Sequence, residues 1–407
     1  MRMTTVTPPS RDVLDMSFFQ DPYAVYDRLR QSGPVHPMRT PDGIDVWFIT
    51  HYEEAKEALS DARFTKSFDG VPEIFEQQNT GIAGHEAYTD ILTKHMLFAD
   101  PPDHTRLREL SAKAFTRRRV EALRPEIQQI VDGLLDKISE EREVDLLRTV
   151  SFPMSMAVTC RLLGIPPADE DAFRVWTETI FTTNHPARMN EAVRAVDDYL
   201  VKTVEAKRAD PADDLITALI NARDNGDRLS DRELVSTCAL MFVAGYETTA
   251  SMVGNAVLAL LQRPEKLAEI KADPSLLPNA VDELLRFDGP VNVATLRSTA
   301  TEVQIGDTTI PKGQFVLVSL IAANRDGVKF PSPNDLDFTR PLGGSLAFGH
   351  GIHYCLGAPL SRVEIEVALS RLLTRFPDLS LAGQPGTLRW RNSLLVRGLS
   401  ALPIRLR

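Results

Sequence analysis

Apolar residues recur at three- and four-residue intervals through most of the chain beyond residue 102, the period of amphipathic helices. The periodic stretches predict helices over roughly 102–115, 117–138, 150–163, 169–182, 188–208, 212–224, 231–262, 264–272 and 275–286. Two shorter helices, 21–31 and 52–59, flank a β-branched and aromatic run at 44–50 that reads as a strand. Strand signals return at 303–310 and 313–320, and Pro311 and Lys312 between them suggest a hairpin. A last helix is expected over 358–375, and the C-terminus, ending in Leu402 to Leu406, reads as a second β-hairpin. Residues 66–98 follow neither period, and an irregular connection of that length tends to be functional. The expected architecture is mainly α with small β-sheets near both ends.

Composition narrows the function more than the fold. With 43% hydrophobic residues the chain has ample material for a large core. A formal net charge of −10 argues against nucleic acid as a partner, because phosphate binding calls for a basic domain. No apolar run approaches the roughly 18 residues that span a bilayer. The N-terminal residues lack the apolar core of a signal peptide, so no membrane and a cytoplasmic location are expected.

Three cysteines are present. Cys160 and Cys238 lie inside apolar helical patterns and read as small buried hydrophobes. Cys355 differs, because it lies in a non-periodic loop that leads into the last helix. Glycines at 349, 351 and 357 allow the close, irregular backbone that can aim N–H groups at a metal-bound thiolate. Phe348 stands where a ring could shield the sulfur, and His353 offers a cation or donor two residues away. A zinc site from His350, His353 and Cys355 is the rival, but it lacks the fourth ligand that structural zinc usually requires.

The 231–262 segment is apolar over much of its length, as befits a helix crossing a core. Within it lie Ala244, Gly245, Tyr246, Glu247, Thr248 and Thr249. A mid-helix glycine costs about 1 kcal/mol relative to alanine, so a reason such as the close approach of a flat cofactor is expected. A buried glutamate beside a threonine needs hydrogen-bonding partners. Two readings stand: the pair relays protons, or the threonines bond back to carbonyls one turn earlier while Glu247 reaches solvent.

These motifs, in this order and over nearly the whole length, resemble the cytochrome P450 superfamily. The pattern of Phe348, Gly351, a basic residue at 353, Cys355 and Gly357 is similar to its haem-binding loop, and Ala244 to Thr249 to its oxygen-activation motif. The resemblance implies a cytochrome P450 fold forming one domain over 1–407. Haem b would be buried between the long central helix and the cysteine loop, with Cys355 as the iron's thiolate ligand. Glu247 and Thr248 would relay protons to dioxygen. His104 and Arg108 match the family's His-x-x-x-Arg propionate clamp, joined by Arg297 and His353, while Gly245 and Phe348 would lie against the haem. Glu283 and Arg286 match the buried Glu-x-x-Arg pair that locks the cysteine loop. Where a third, basic member is usual this chain has Asp335, which leaves Arg340 or a backbone carbonyl to substitute. Tyr246 either faces substrate or packs beneath a neighbouring helix.

By the same resemblance the chain hydroxylates or epoxidises a bulky hydrophobic small molecule, using O2 and two electrons. No flavin or iron–sulfur motif is present, so the electrons would come from a ferredoxin and ferredoxin reductase. The chain looks most like actinobacterial monooxygenases that tailor macrolides and other polyketides, a group with steroid- and terpenoid-hydroxylating relatives. Pocket walls are expected from 68–98, 172–188, Ala244, Val291, Ala294, Thr295, Leu394 and Leu395. The basic run Arg106, Arg108, Lys113, Arg117, Arg118 and Arg119 would form a docking face for an acidic ferredoxin near Cys355. A peroxide-driven peroxygenase and a non-catalytic haem sensor are the alternatives. The Glu247–Thr248 pair counts against both.

Overall fold

The structure, a computed structural model, describes residues 12–67, 74, 90–182, 186–223, 226–341 and 343–407. Through its middle runs the helix Asp231–Leu261, opened by a capping box between Ser230 and Glu233. Most of this helix from Leu234 onward is apolar and buried, and Phe152–Leu163, Pro186–Ala209, Leu277–Asp288 and Ala358–Arg375 pack around it. Two predicted helices differ in extent. The 117–138 stretch is broken at Leu123 into Arg117–Ala122 and Arg124–Lys137, because Pro125 lacks the N–H that would continue the first helix and suits the first turn of the second. The 212–224 helix is confined to Leu215–Asn221, capped by Asp214, which accepts from the Thr217 N–H.

One sheet orders its strands Asp12–Val13, Val35–Arg39, Asp45–Ile49, Phe315–Val318, Arg297–Thr299 and Phe64–Thr65. Val35–Arg39 escapes the sequence pattern because Pro37 lies inside it. The hairpin expected across Pro311 and Lys312 does not form. Val303–Ile305 instead turns back on Thr308–Ile310 through Gly306 and Asp307, with Gly306 at φ +52°, the positive φ that so short a connection demands. Phe315–Val318 is buried at all four positions and lies between Asp45–Ile49, parallel, and Arg297–Thr299, antiparallel. Its unbroken apolar run marks a strand covered on both faces, not a hairpin arm. At the C-terminus Pro403–Arg405 pairs antiparallel with Ser380–Leu381 across the 382–402 connection, and Glu143–Asp145 takes its other edge. Among the described residues no helix is long and apolar enough to cross a membrane.

Candidate active site

The cysteine loop is seated by its glycines. Gly349 and Gly351 have φ +74° and +72°. A Cβ on Gly351 would lie 2.7 Å from the Leu59 carbonyl oxygen, so only glycine lets the loop meet the end of helix Tyr52–Ser60. The Cys355 N–H donates to the Phe348 carbonyl at 2.9 Å. The sulfur sits just before helix Ala358–Arg375, where the N–H groups of Gly357 and Ala358 are turned toward it. Burial raises the Cys355 thiol, while those two N–H groups, Arg108 and Arg362 act to lower it. The residue nonetheless keeps exposed surface. The Phe348 ring packs against Tyr354, with the Arg362 guanidinium 4.5 Å from its centroid. No three His, Cys, Asp or Glu side chains gather into a metal-holding group among the described residues, so the zinc alternative has no geometry behind it.

Above this loop the fold gathers basic side chains from four places in the chain. Helix Asp103–Ala114 brings His104 and Arg108, strand Arg297–Thr299 brings Arg297, the loop brings His353, and Lys66 follows strand Phe64–Thr65. The His104 and His353 rings lie 4.3 Å apart. Both His104 nitrogens, Arg297 Nε and His353 Nε2 are buried with no hydrogen-bond partner. Burial pushes Arg297 down to about 10 and holds Lys66 well below its ordinary value, with Arg297 adding to the effect on Lys66. His353 is pushed down to about 2 by burial and then by Lys66, His104, Arg297 and Arg108. The neighbouring carboxylate, Asp100, is engaged by the Thr65 hydroxyl and by the N–H groups of Lys66 and Ser67. So much buried, unpartnered donor capacity fits a ligand carrying two carboxylates, as haem does. Lys66, whose Nζ touches Thr295, is the member that sequence reasoning missed. It follows a two-residue strand, and no spacing ties it to the other four.

On the central helix Glu247 is buried and does not reach solvent. Its Oε1 meets Arg391 Nη1 at 2.7 Å, and its Oε2 has no partner. Burial raises the carboxyl, and Arg391 opposes that rise. Arg391 lies 144 residues away in sequence, and no local signal pointed to it. Thr248 does bond back, its hydroxyl donating to the Ala244 carbonyl at 2.7 Å. Tyr246 packs on Phe152 and is buried beneath helix Phe152–Leu163, which decides between its two readings. Gly245 also lies close to a neighbouring helix. A Cβ there would meet Thr159 Oγ1 at 3.3 Å, and Ser155 donates to the Gly245 and Tyr246 carbonyls, so the crowding at Gly245 comes from close helix–helix packing.

Glu283 and Arg286 form a buried bidentate pair at 2.7 Å. Both substitutes foreseen for the missing basic residue are present: Arg340 meets Glu283 at 3.3 Å, and Arg286 donates to the Asp335 carbonyl at 3.1 Å. Arg286 also donates to the carbonyls of Pro333 and Asn324, both at 2.9 Å. The Asn324 side chain in turn accepts from the Leu346 N–H, which ties the pair to the strand of chain entering the cysteine loop.

Five of the expected pocket residues, Phe98, Ala294, Thr295, Leu394 and Leu395, line one cavity of about 280 Å³ together with Lys66 and Arg297. Ala244 and Val291 are not part of its lining, Val291 being bridged to Val396. The expected walls at 68–73, 75–89 and 183–185 lie outside the described residues. The basic run is not one open face. Arg106 pairs with Glu233, Lys113 donates to the Arg223 carbonyl, Arg119 pairs with Asp213, and Arg108 turns inward toward Cys355. Arg117 and Arg118 remain exposed.

The family model described as Cytochrome P450 matches residues 171–275 and 272–384. Cytochrome P450 107B1 of Saccharopolyspora erythraea is 47% identical over 403 residues, 99% of each chain. The 6-deoxyerythronolide B hydroxylase of the same organism is 41% identical over 411 residues, covering 99% of this chain and all of that one. Among solved structures, the tirandamycin C-bound P450 monooxygenase TamI superposes with a TM-score of 0.89 at 45% identity, covering 97% of this chain and 100% of the other.

Proposed function

On the premise that this chain belongs to the cytochrome P450 family and is a monooxygenase with a cysteine-ligated haem iron, we propose that Cys355 supplies the thiolate. We further propose that the enzyme hydroxylates a bulky, largely apolar molecule of the polyketide class. The observation that carries this is the convergence of the exposed Cys355 with a buried set of donors that have no hydrogen-bond partner among the described residues. When bound, the haem supplies activation of dioxygen, with thiolate donation favouring O–O cleavage.

Around that group the chain's own residues divide the work. Gly357 and Ala358 direct N–H groups at the sulfur and favour its anion against the burial that raises the thiol. His104, Arg108, Arg297, His353 and Lys66 would hold the two carboxylates of the haem. Glu247 takes protons from the surface side and Thr248 passes them on, its hydroxyl free to exchange the Ala244 carbonyl for a better acceptor. The apolar walls at Ala294, Leu394 and Leu395 orient the substrate and exclude water. The polyketide class rests on the similarity to a 6-deoxyerythronolide B hydroxylase and to a structure holding tirandamycin C.

Two outcomes are expected. Thr248→Ala should lower product formation by a factor on the order of 10² while oxygen consumption continues. Product counted against electrons consumed checks this, and unchanged coupling removes Thr248 from the relay. Electrons are proposed to come from a ferredoxin and its reductase, docking where Arg117 and Arg118 stand exposed. Reversing both charges should slow ferredoxin-supported turnover by a factor of roughly 10 at low salt, with the difference shrinking as salt screens the encounter. Equal rates for variant and wild type at low salt would place the docking face elsewhere.

A further inference from the structure

The acid of the relay is held by a residue from the far end of the chain. Arg391 is anchored at its backbone, where its N–H donates to the Gly398 carbonyl at 2.9 Å, next to a bridge between Trp390 and Leu399. Its guanidinium is aimed as firmly. Nη1 meets Glu247 Oε1 at 2.7 Å and Nη2 donates to Ser251 Oγ at 3.0 Å, with Ser251 one helical turn beyond Glu247. Gly398 keeps the seat open, since a Cβ there would lie 2.5 Å from Ser251 Oγ and 3.1 Å from Arg391 Nη2. The Phe152 ring backs the guanidinium at 5.5 Å. The Glu247 side chain is 7% exposed and that of Arg391 23%, so the arginine spans from the outer side to the buried acid.

We propose that Arg391 is a positioning residue for proton delivery: it latches the Glu247 carboxylate beside Ser251 and releases it when the carboxylate takes up a proton. The proposal rests on the reading of Glu247 and Thr248 as a relay. A proton from bulk water adds to Oε2, the oxygen without a partner. The carboxyl is then neutral, its bond to the guanidinium loses the charge-assisted part of its strength, and the side chain can turn. It gives up that proton on the Thr248 side, and the regenerated carboxylate returns to Arg391. One proton moves per cycle, and Arg391 keeps its own throughout.

Other charges are placed too far back to do this. Arg391 is the one charged group that acts directly on Glu247 among the described residues. The Tyr246 phenol, next to it on the same helix, feels Glu178 and Arg174 of helix Glu170–Thr182, and these two are paired with each other. Burial raises the Glu247 carboxyl and Arg391 opposes it, so removing the arginine leaves only the upward influence.

The test is an infrared titration of the holoenzyme, reading the carboxyl C=O band that is lost in Glu247→Gln. In Arg391→Gln the midpoint of that band should move up by about 1 to 3 pH units, and the pH profile of product per electron should move with it. Arg391→Lys, which keeps the charge, should recover most of the shift. If Arg391→Gln does not load haem, Ser251→Ala removes the guanidinium's second anchor and should give a smaller shift in the same direction. An unmoved midpoint in the variant that loads, or a moved midpoint with an unmoved coupling profile, overturns the latch. A Thr248→Ala enzyme that stays fully coupled overturns the relay reading itself, so the two failures are distinguishable.

Discussion

Cys355→Ser is expected to abolish the red-shifted Soret band that carbon monoxide gives with a reduced thiolate-ligated haem, and to take product formation to background. The donors around position 355 explain why serine cannot substitute. Burial raises the Cys355 thiol, and two N–H groups, Arg108 and Arg362 pull the other way, toward the thiolate. An alcohol in the same place stays protonated, and its oxygen is a harder ligand than sulfur. Losing an outer-shell partner of a metal ligand typically costs up to about 100-fold in activity, and losing the ligand itself should exceed that. Serine is close to cysteine in size, so the haem-free variant should match the haem-free wild type in stability within about 0.5 kcal/mol. Spectrum and thermal unfolding together separate ligand loss from misfolding. A variant that keeps the band and the turnover would show that another group holds the iron.

The largest expected effect on stability is at Arg286. It is the bulkiest fully buried side chain, and it satisfies Glu283 as well as the carbonyls of Asn324, Pro333 and Asp335. Arg286→Leu leaves a buried carboxylate with only the more distant Arg340 and the Asp337 N–H. Breaking a buried pair from one side costs about 3–5 kcal/mol, a large part of the 5–15 kcal/mol that a folded protein has in hand. Urea unfolding should register that loss, and haem content should fall with it, because Asn324 passes the constraint on to Leu346. Arg340→Leu should cost clearly less, since Glu283 keeps its bidentate partner. Equal losses in the two variants, or a change below about 1 kcal/mol in the first, would mean that the pair does not lock the loop.

Helices were legible because their period is local and their caps are short-range, as with Ser230 and Glu233 at the start of the central helix. Strand partners were not. Phe315–Val318 looks from sequence like half of a hairpin, and only its burial on both faces reveals a place in the middle of a sheet. The site divides in the same way. Cys355, Glu247, Thr248, His104 and Arg108 sit in short spaced motifs. Arg391 and Lys66 act through contacts across 144 and 229 residues, to Glu247 and Thr295, and no window along the chain contains both partners. Gly245 carries a constraint its motif does not reveal, because Thr159 on a neighbouring helix lies where a side chain would go.

The gathering of Lys66, Arg297 and His104 around the carboxylate of Asp100 bears on how the protein is made as well as on what it does. Like charges and desolvated imidazoles held together oppose the approach of the sheet and the helix that carry them. A bound dicarboxylate would offset that opposition and so contribute to their packing. A ligand at a hundredfold excess over its Kd contributes about 2.7 kcal/mol to the native state. Limited proteolysis should therefore cut the haem-free chain faster than the haem-loaded one, and equal rates would show that loading adds nothing to the native state.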